Sequence, residues 1–155
     1  MVDETDRISL DLGEYWAMAR WKDSLCIAVT SFDGGKFTDY AWENTKYLLD
    51  KIEKYIQTYR VDIVLEKAHH RVPTQWVQYQ DVKKLCKKYN IILIEYKPSH
   101  IKKMVTGNGR ASKDEVEEVV VKSEAVKVTP TNEHESDAIA CGLCYLENQN
   151  ETQRT

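Results

Sequence analysis

Three short runs rich in β-branched and aromatic residues open the chain: RISLDL, YWAMARW and SLCIAVTSF. Turn-like GE and KDS separate them, so the pattern predicts a meander of three antiparallel strands. FDGGKFTDY then reads as a loop. AWENTKYLLDKIEKYIQTY shifts to helical period, with Leu48, Leu49, Ile52, Tyr55 and Ile56 on one apolar stripe.

VDIVLE is a continuous apolar run closed by a charge, as expected of a parallel strand buried on both faces. The polar loop KAHHRVP leads to a second amphipathic helix over 74–89, and IILIEY is a second buried strand. A short helix opened by Pro98, the loop TGNGRA and a helix from Lys113 follow. Ser112 and Glu115 have capping-box spacing, and Asn132 and Glu135 repeat it at the head of the last helix. That helix is apolar nearly all round from Ala138, so it belongs in the core. The polar stretch 147–155 predicts a flexible tail. The order βββαβαβ followed by helices predicts an α/β fold with one mixed five-stranded sheet, three antiparallel strands then two parallel, and helices on both faces. Right-handed crossovers would link the meander to the fourth strand and the fourth to the fifth.

A chain of 155 residues, 42% hydrophobic and 30% charged, fits one soluble domain spanning 1–155. No apolar stretch approaches the roughly 20 residues of a membrane helix, and MVDETDR is acidic where a signal peptide is basic. The expected location is therefore the cytoplasm, away from any membrane. Cys26, Cys86, Cys141 and Cys144 sit in apolar contexts and read as reduced thiols. Cys141 and Cys144 form a C-x-x-C, but in mid-helix, and only His69 and His70 could complete a zinc site; buried structural thiols are the expectation.

The net charge of -3 argues mildly against a nucleic-acid partner. Its distribution argues the other way. From Lys83 to Lys113 the only acid is Glu95, against Lys83, Lys84, Lys87, Lys88, Lys97, Lys102, Lys103, Arg110 and Lys113. KKLCKK is equally a solvated helix face, whereas the later lysines mark a phosphate-binding surface.

Against this background four residues stand out: Asp11 ending the first strand, Glu66 ending the fourth, and His134 and Asp137 on one face of the last helix. Singly, Asp11 fits a turn cap before Gly13, Glu66 an edge ion pair, His134 a surface position, and Asp137 a helix-dipole contact. Jointly they suggest more. Burying an unpaired carboxylate costs several kcal/mol, and converging acids repel unless a cation lies between them. Carboxylate oxygens suit Mg²⁺ or Mn²⁺. Divalent ions beside a basic patch point to phosphodiester chemistry, with two ions about 4 Å apart as the usual arrangement. Gly107 and Gly109 would let backbone approach a polynucleotide closely.

IKKMVTGNGRASKDEV followed by HESDAIACGLCY closely resembles the RuvC family of Holliday-junction resolvases. The likeness extends to ISLDLG at the first strand and IVLE at the fourth, so it spans most of the chain in order. The compact chain and divergent middle suggest a phage-encoded member. The resemblance implies an RNase H-like fold and a homodimer that nicks opposed strands of a four-way junction with Mg²⁺ or Mn²⁺. By motif position Asp11, Glu66, His134 and Asp137 would be the metal-binding and catalytic set. Lys102 and Lys113 would be catalytic lysines and Gly107 and Gly109 the DNA-facing loop, while Lys103 and Arg110 of the basic stretch would be further DNA-binding residues.

Two departures from the family pattern bear on this expectation. Many members carry Asp at the position of His134, and the family's aromatic junction wedge corresponds here to His69. The second departure makes cleavage of other branched DNA, such as forks or flaps, a reasonable expectation. Rival readings are a junction-binding module without catalysis, an actin-like phosphotransferase, which needs two such domains, and ribonuclease H proper, which must read 2′-hydroxyls. A dimer interface would fall on helix 74–89, with Trp76 and Tyr79 as exposed anchors, unless that helix merely packs on its sheet.

Overall fold

The structure is a computed structural model that describes residues 6–33, 41–69 and 71–154. Most of the loop expected at FDGGKFTDY, residues 34–40, lies outside that range, as does His70. The strands are β1 (Asp6–Asp11), β2 (Tyr15–Lys22), β3 (Leu25–Asp33), β4 (Val61–Glu66) and β5 (Leu93–Tyr96). The helices are α1 (Ala41–Thr58), α2 (Pro73–Lys88), α3 (Pro98–Thr106), α4 (Lys113–Lys122) and α5 (Glu133–Arg154).

All five strands form one sheet in the order β3-β2-β1-β4-β5. The first three are antiparallel, while β4 runs parallel to β1 and β5 parallel to β4. Strand alternation sorts the side chains into two cores. Ile8, Leu10, Met18, Ile63 and Leu65 pack with Leu48 and Ile52 of α1 and Tyr79 and Val82 of α2. Ala17, Ala19, Trp21 and Val64 face the other way, against Val116 and Val120 of α4 and Ala138, Ile139, Cys141 and Cys144 of α5. The expected mixed sheet with helices on both faces is what the chain forms.

Three expectations are corrected. β5 begins at Leu93, and Ile92 before it is 62% exposed, so IILIEY is only partly strand. Residues 147–154 are helical, not a flexible tail: no Gly or Pro interrupts the run, so α5 continues to Arg154. His100 Nε2 lies 3.3 Å from Asn148 Oδ1, which ties this end of α5 to α3. Tyr79 is not an exposed anchor. It is 5% exposed, and its hydroxyl donates to Glu95 on β5 because α2 lies flat on the sheet with that face inward. Trp76 is 36% exposed beside Val72 and Val77, so the outer face of α2 does carry apolar surface.

Candidate active site

Leu10 pairs with Leu65 across the parallel β1–β4 ladder, so Asp11 and Glu66 end adjacent strands at the same edge of the sheet. Side-chain alternation puts both on the face of Ser9 and Val64, toward α5. In open α/β sheets this C-terminal edge of the parallel strands is where ligands bind.

Specific bonds hold α5 over that edge. Buried Ser9 donates from Oγ to the Ala138 carbonyl at 2.6 Å and accepts the Trp21 indole N–H at 2.9 Å. Asn132 caps α5 through the Glu135 N–H at 2.9 Å, and Glu135 in turn accepts the Thr131 N–H at 3.0 Å and the Ser31 hydroxyl from β3. Burial would raise the Glu135 carboxyl, but the bonds from Ser31 and Thr131 hold it below its ordinary value. The helix start is thereby fixed, and His134 and Asp137 project from its first turns. The Ser112 cap does the same for α4, accepting the Glu115 N–H at 3.2 Å and presenting Lys113.

Asp11, Glu66, His134 and Asp137 line one cleft of about 490 Å³, together with Lys102, Lys113, Tyr15, Gly13 and Glu14. His134 Nδ1 is 3.0 Å from Asp11 Oδ2, and its ring stacks on Tyr15 with centroids 5.4 Å apart and planes 11° apart. Burial, and after it the charge of Asp137, pushes the Asp11 carboxyl up to about 7, although the His134 hydrogen bond pulls the other way. Glu66 is raised by burial and by Asp137, against the pull of Lys102 and Lys113. Asp137 is raised by burial, against Lys113 and His134. Lys113 Nζ lies 3.7 Å from Glu133 Oε2. Three carboxylates thus share a cleft too dry and too crowded for all of them to ionise comfortably. The donors do not yet close on a point: among the described residues no three His, Cys, Asp or Glu side chains are gathered tightly enough to hold an ion.

The basic stretch divides. Lys102 and Lys113 reach the cleft wall, while Lys103 and Arg110 are exposed outside its lining. The α2 lysines belong to the opposite face of the sheet, where Lys88 pairs with Glu53 at 3.6 Å. Gly107 caps α3 with φ 87°, a left-handed conformation suited to glycine, and donates to the Lys103 carbonyl at 2.8 Å. Asn108 then accepts the Arg110 N–H at 2.9 Å, so the loop beyond is ordered by its own polar groups. All four cysteines are buried free thiols, and burial pushes Cys144 up to about 12, so the C-x-x-C serves packing. No sequence motif singles out Tyr15, Gln75 or Gln78. Only Tyr15 had a signal there, since it shares a strand face with Ala17, the register partner of Asp11.

Fold and cleft together define an α/β domain of the RNase H-like class, with acids and an imidazole at the C-terminal edge of its parallel strands. The family profile described as crossover junction endodeoxyribonuclease RuvC matches residues 37–145, and the chain belongs to that family. A RuvC of Mycobacterium sp. (strain KMS) is 32% identical over 102 residues, covering 62% of this chain and 55% of the relative. A RuvC of Anaplasma phagocytophilum (strain HZ) is 44% identical over 62 residues, covering 39% of this chain and 38% of the relative. The chain thus spans about half the length of these curated relatives or less. The solved structure of Thermus thermophilus RuvC in complex with Holliday junction substrate is similar with TM-score 0.76 and 15% identity, over 95% of this chain and 96% of that one.

Proposed function

We propose that this chain is a single-domain, divalent-metal-dependent endodeoxyribonuclease that nicks four-way junctions and other branched DNA in the cytoplasm. The observation that carries the reading is the convergence of Asp11, Glu66, His134 and Asp137 with Lys102 and Lys113 on one cleft. Burial raises Asp11, Glu66 and Asp137, the charge of Asp137 adds to the rise at Asp11 and Glu66, and a divalent cation would relieve both effects. The oxygen-rich donor set suits Mg²⁺ or Mn²⁺, with two ions as our proposal. Bound there, such ions supply Lewis acidity and an activated water for in-line displacement at phosphorus.

The chain's own residues do the remaining work. Lys102 and Lys113 offset charge on the reacting phosphate. Lys103, Arg110 and the glycine loop around Gly107 and Gly109 seat the flanking backbone, an anchoring role that carries no sequence information. Tyr15 holds the His134 ring by stacking. A homodimer would place two such clefts on opposed strands, with the exposed Trp76 side of α2 as the proposed contact.

Incubation with a synthetic four-way junction and a linear duplex, with and without Mg²⁺ or Mn²⁺, tests the reading. Metal-dependent nicking confined largely to branched DNA is expected. Junction binding without cutting in either metal would sink it. Light scattering on wild type and Trp76→Ala tests the dimer.

A further inference from the structure

Helix α2 reaches the rim of the cleft through two amides. Gln78 is 1% exposed, and its Oε1 accepts the Gly13 N–H at 2.9 Å. Its Nε2 donates to the Gly13 carbonyl at 3.0 Å and to Thr45 Oγ1 at 3.4 Å. A buried amide is costly unless bonded, and this one is bonded by pairing with both backbone groups of a single residue, as a neighbouring strand would. One turn earlier on α2, Gln75 donates from Nε2 to the Leu12 carbonyl at 3.3 Å and accepts the His69 N–H at 3.2 Å.

These bonds have a consequence for the cleft. Leu12 and Gly13 follow Asp11 directly, and His69 lies in the loop that follows Glu66. The exits of both acid-bearing strands are therefore fastened to one rigid helix, at positions three apart on the same face. The first of these loops runs straight into Tyr15, whose ring stacks on His134. Asp11, Glu66 and His134 thus share one support. We propose that Gln75 and Gln78 are positioning residues that set the spacing of these donors for divalent-ion binding; the proposal rests on the nuclease reading above. Ion binding has to bring donors together that stand apart, and each loop freed from α2 adds ordering entropy to that step. Lys102, Lys103, Arg110 and Lys113 lie on α3, α4 and the loop between them, and the bonds of the two glutamines reach none of these elements. Loss of the clamp should therefore weaken ion binding and turnover while sparing DNA affinity.

The test uses Gln75→Met and Gln78→Met, which keep length and remove the amide. Mn²⁺ binding is followed by calorimetry, and junction cleavage gives kcat and KM. Expected are a Mn²⁺ affinity and a kcat each lower by about ten-fold, the scale for residues that orient ligands, with KM for DNA little changed. Val82→Ala, a core change on the same helix, supplies a control for loss of stability without loss of the clamp. Wild-type Mn²⁺ affinity in both glutamine variants would overturn the proposal, and so would an equal loss in the Val82→Ala control. If Gln78→Met does not fold, Gln75→Met, at a half-buried position, decides alone. A wild-type protein that cuts no branched DNA would end the nuclease reading, while the Mn²⁺ titration would still judge the clamp.

Discussion

His134 Nδ1 lies 3.0 Å from Asp11 Oδ2, joining side chains 123 positions apart in the chain. The contact brings the first strand and the last helix to one point, which a shared cleft requires. It also means that the imidazole and the carboxylate are each other's partner before any cation arrives. Had Asp11 and Asp137 faced opposite sides of the sheet, no shared-ion chemistry would be available; both line the same cleft.

The imidazole makes the metal preference testable. Nitrogen is a softer donor than carboxylate oxygen, and Mn²⁺ accepts it more readily than Mg²⁺ does. Cleavage should therefore run faster in Mn²⁺, and His134→Asp should narrow the ratio by restoring an all-oxygen set. Parallel rate measurements in the two metals check this. Equal wild-type rates, with the ratio unmoved in His134→Asp, would refute it.

Asp11 also predicts a pH-dependent stability. Burial first, and Asp137 next, raise it from 3.8 to about 7 in the folded protein. Between those values the native state holds a proton that the unfolded chain has released, so the contribution of Asp11 favours folding at low pH and declines as pH rises toward about 7. Asp11→Asn removes that loss. Without metal it should be more stable than wild type near pH 8, by an amount on the order of 1–3 kcal/mol, with little gain near pH 4. Melting curves in a chelator at both pH values provide the check. An equal gain at both would mean that ionisation is not the cause.

Most of this architecture was legible because strand burial is periodic and misplaced acids are expensive. Ile8 and Leu10 alternate with Ser9 and Asp11, and the single face of His134 and Asp137 follows from their spacing. What stayed hidden depends on which partner a helix face meets. Trp76 and Tyr79 are three apart and look interchangeable, yet Glu95 on β5 captures one hydroxyl while the indole stays at the surface. Gln75 and Gln78 read as ordinary polar helix positions, since nothing local reports that the loop after Asp11 will lie against them. The polar end of α5 misleads for another reason: polarity weakens packing but does not break a helix, and residues 147–154 contain no Gly or Pro to do so.

Asp137→Asn should abolish cleavage, lowering the rate by at least about a hundred-fold, while junction binding is kept or tightened. The substitution removes a metal-capable oxygen and a negative charge that repels backbone phosphates. A gel-shift titration in chelator alongside a cleavage assay in Mn²⁺ separates the effects. Cutting at the normal rate would take Asp137 out of the mechanism.

The seating of α5 gives the last prediction. A Cβ on Gly142 would lie 2.3 Å from Cε2 and Nε1 of Trp21. The indole has no room to yield: it is 3% exposed, and its N–H donates to Ser9, which in turn holds the Ala138 carbonyl. Gly142→Ala must therefore push the helix off the sheet, and Asp137 and His134 ride on that helix. Overpacking of this kind costs about 1–3 kcal/mol. At roughly 2–4 °C per kcal/mol for a chain of this size, the melting temperature should fall by several degrees. The clash predicts non-additivity as well. In a Trp21→Phe background, where the second ring is gone, the same Gly142→Ala change should cost clearly less, as expected for residues in contact. Additive losses across the four proteins would show that α5 is not seated against Trp21 in this way.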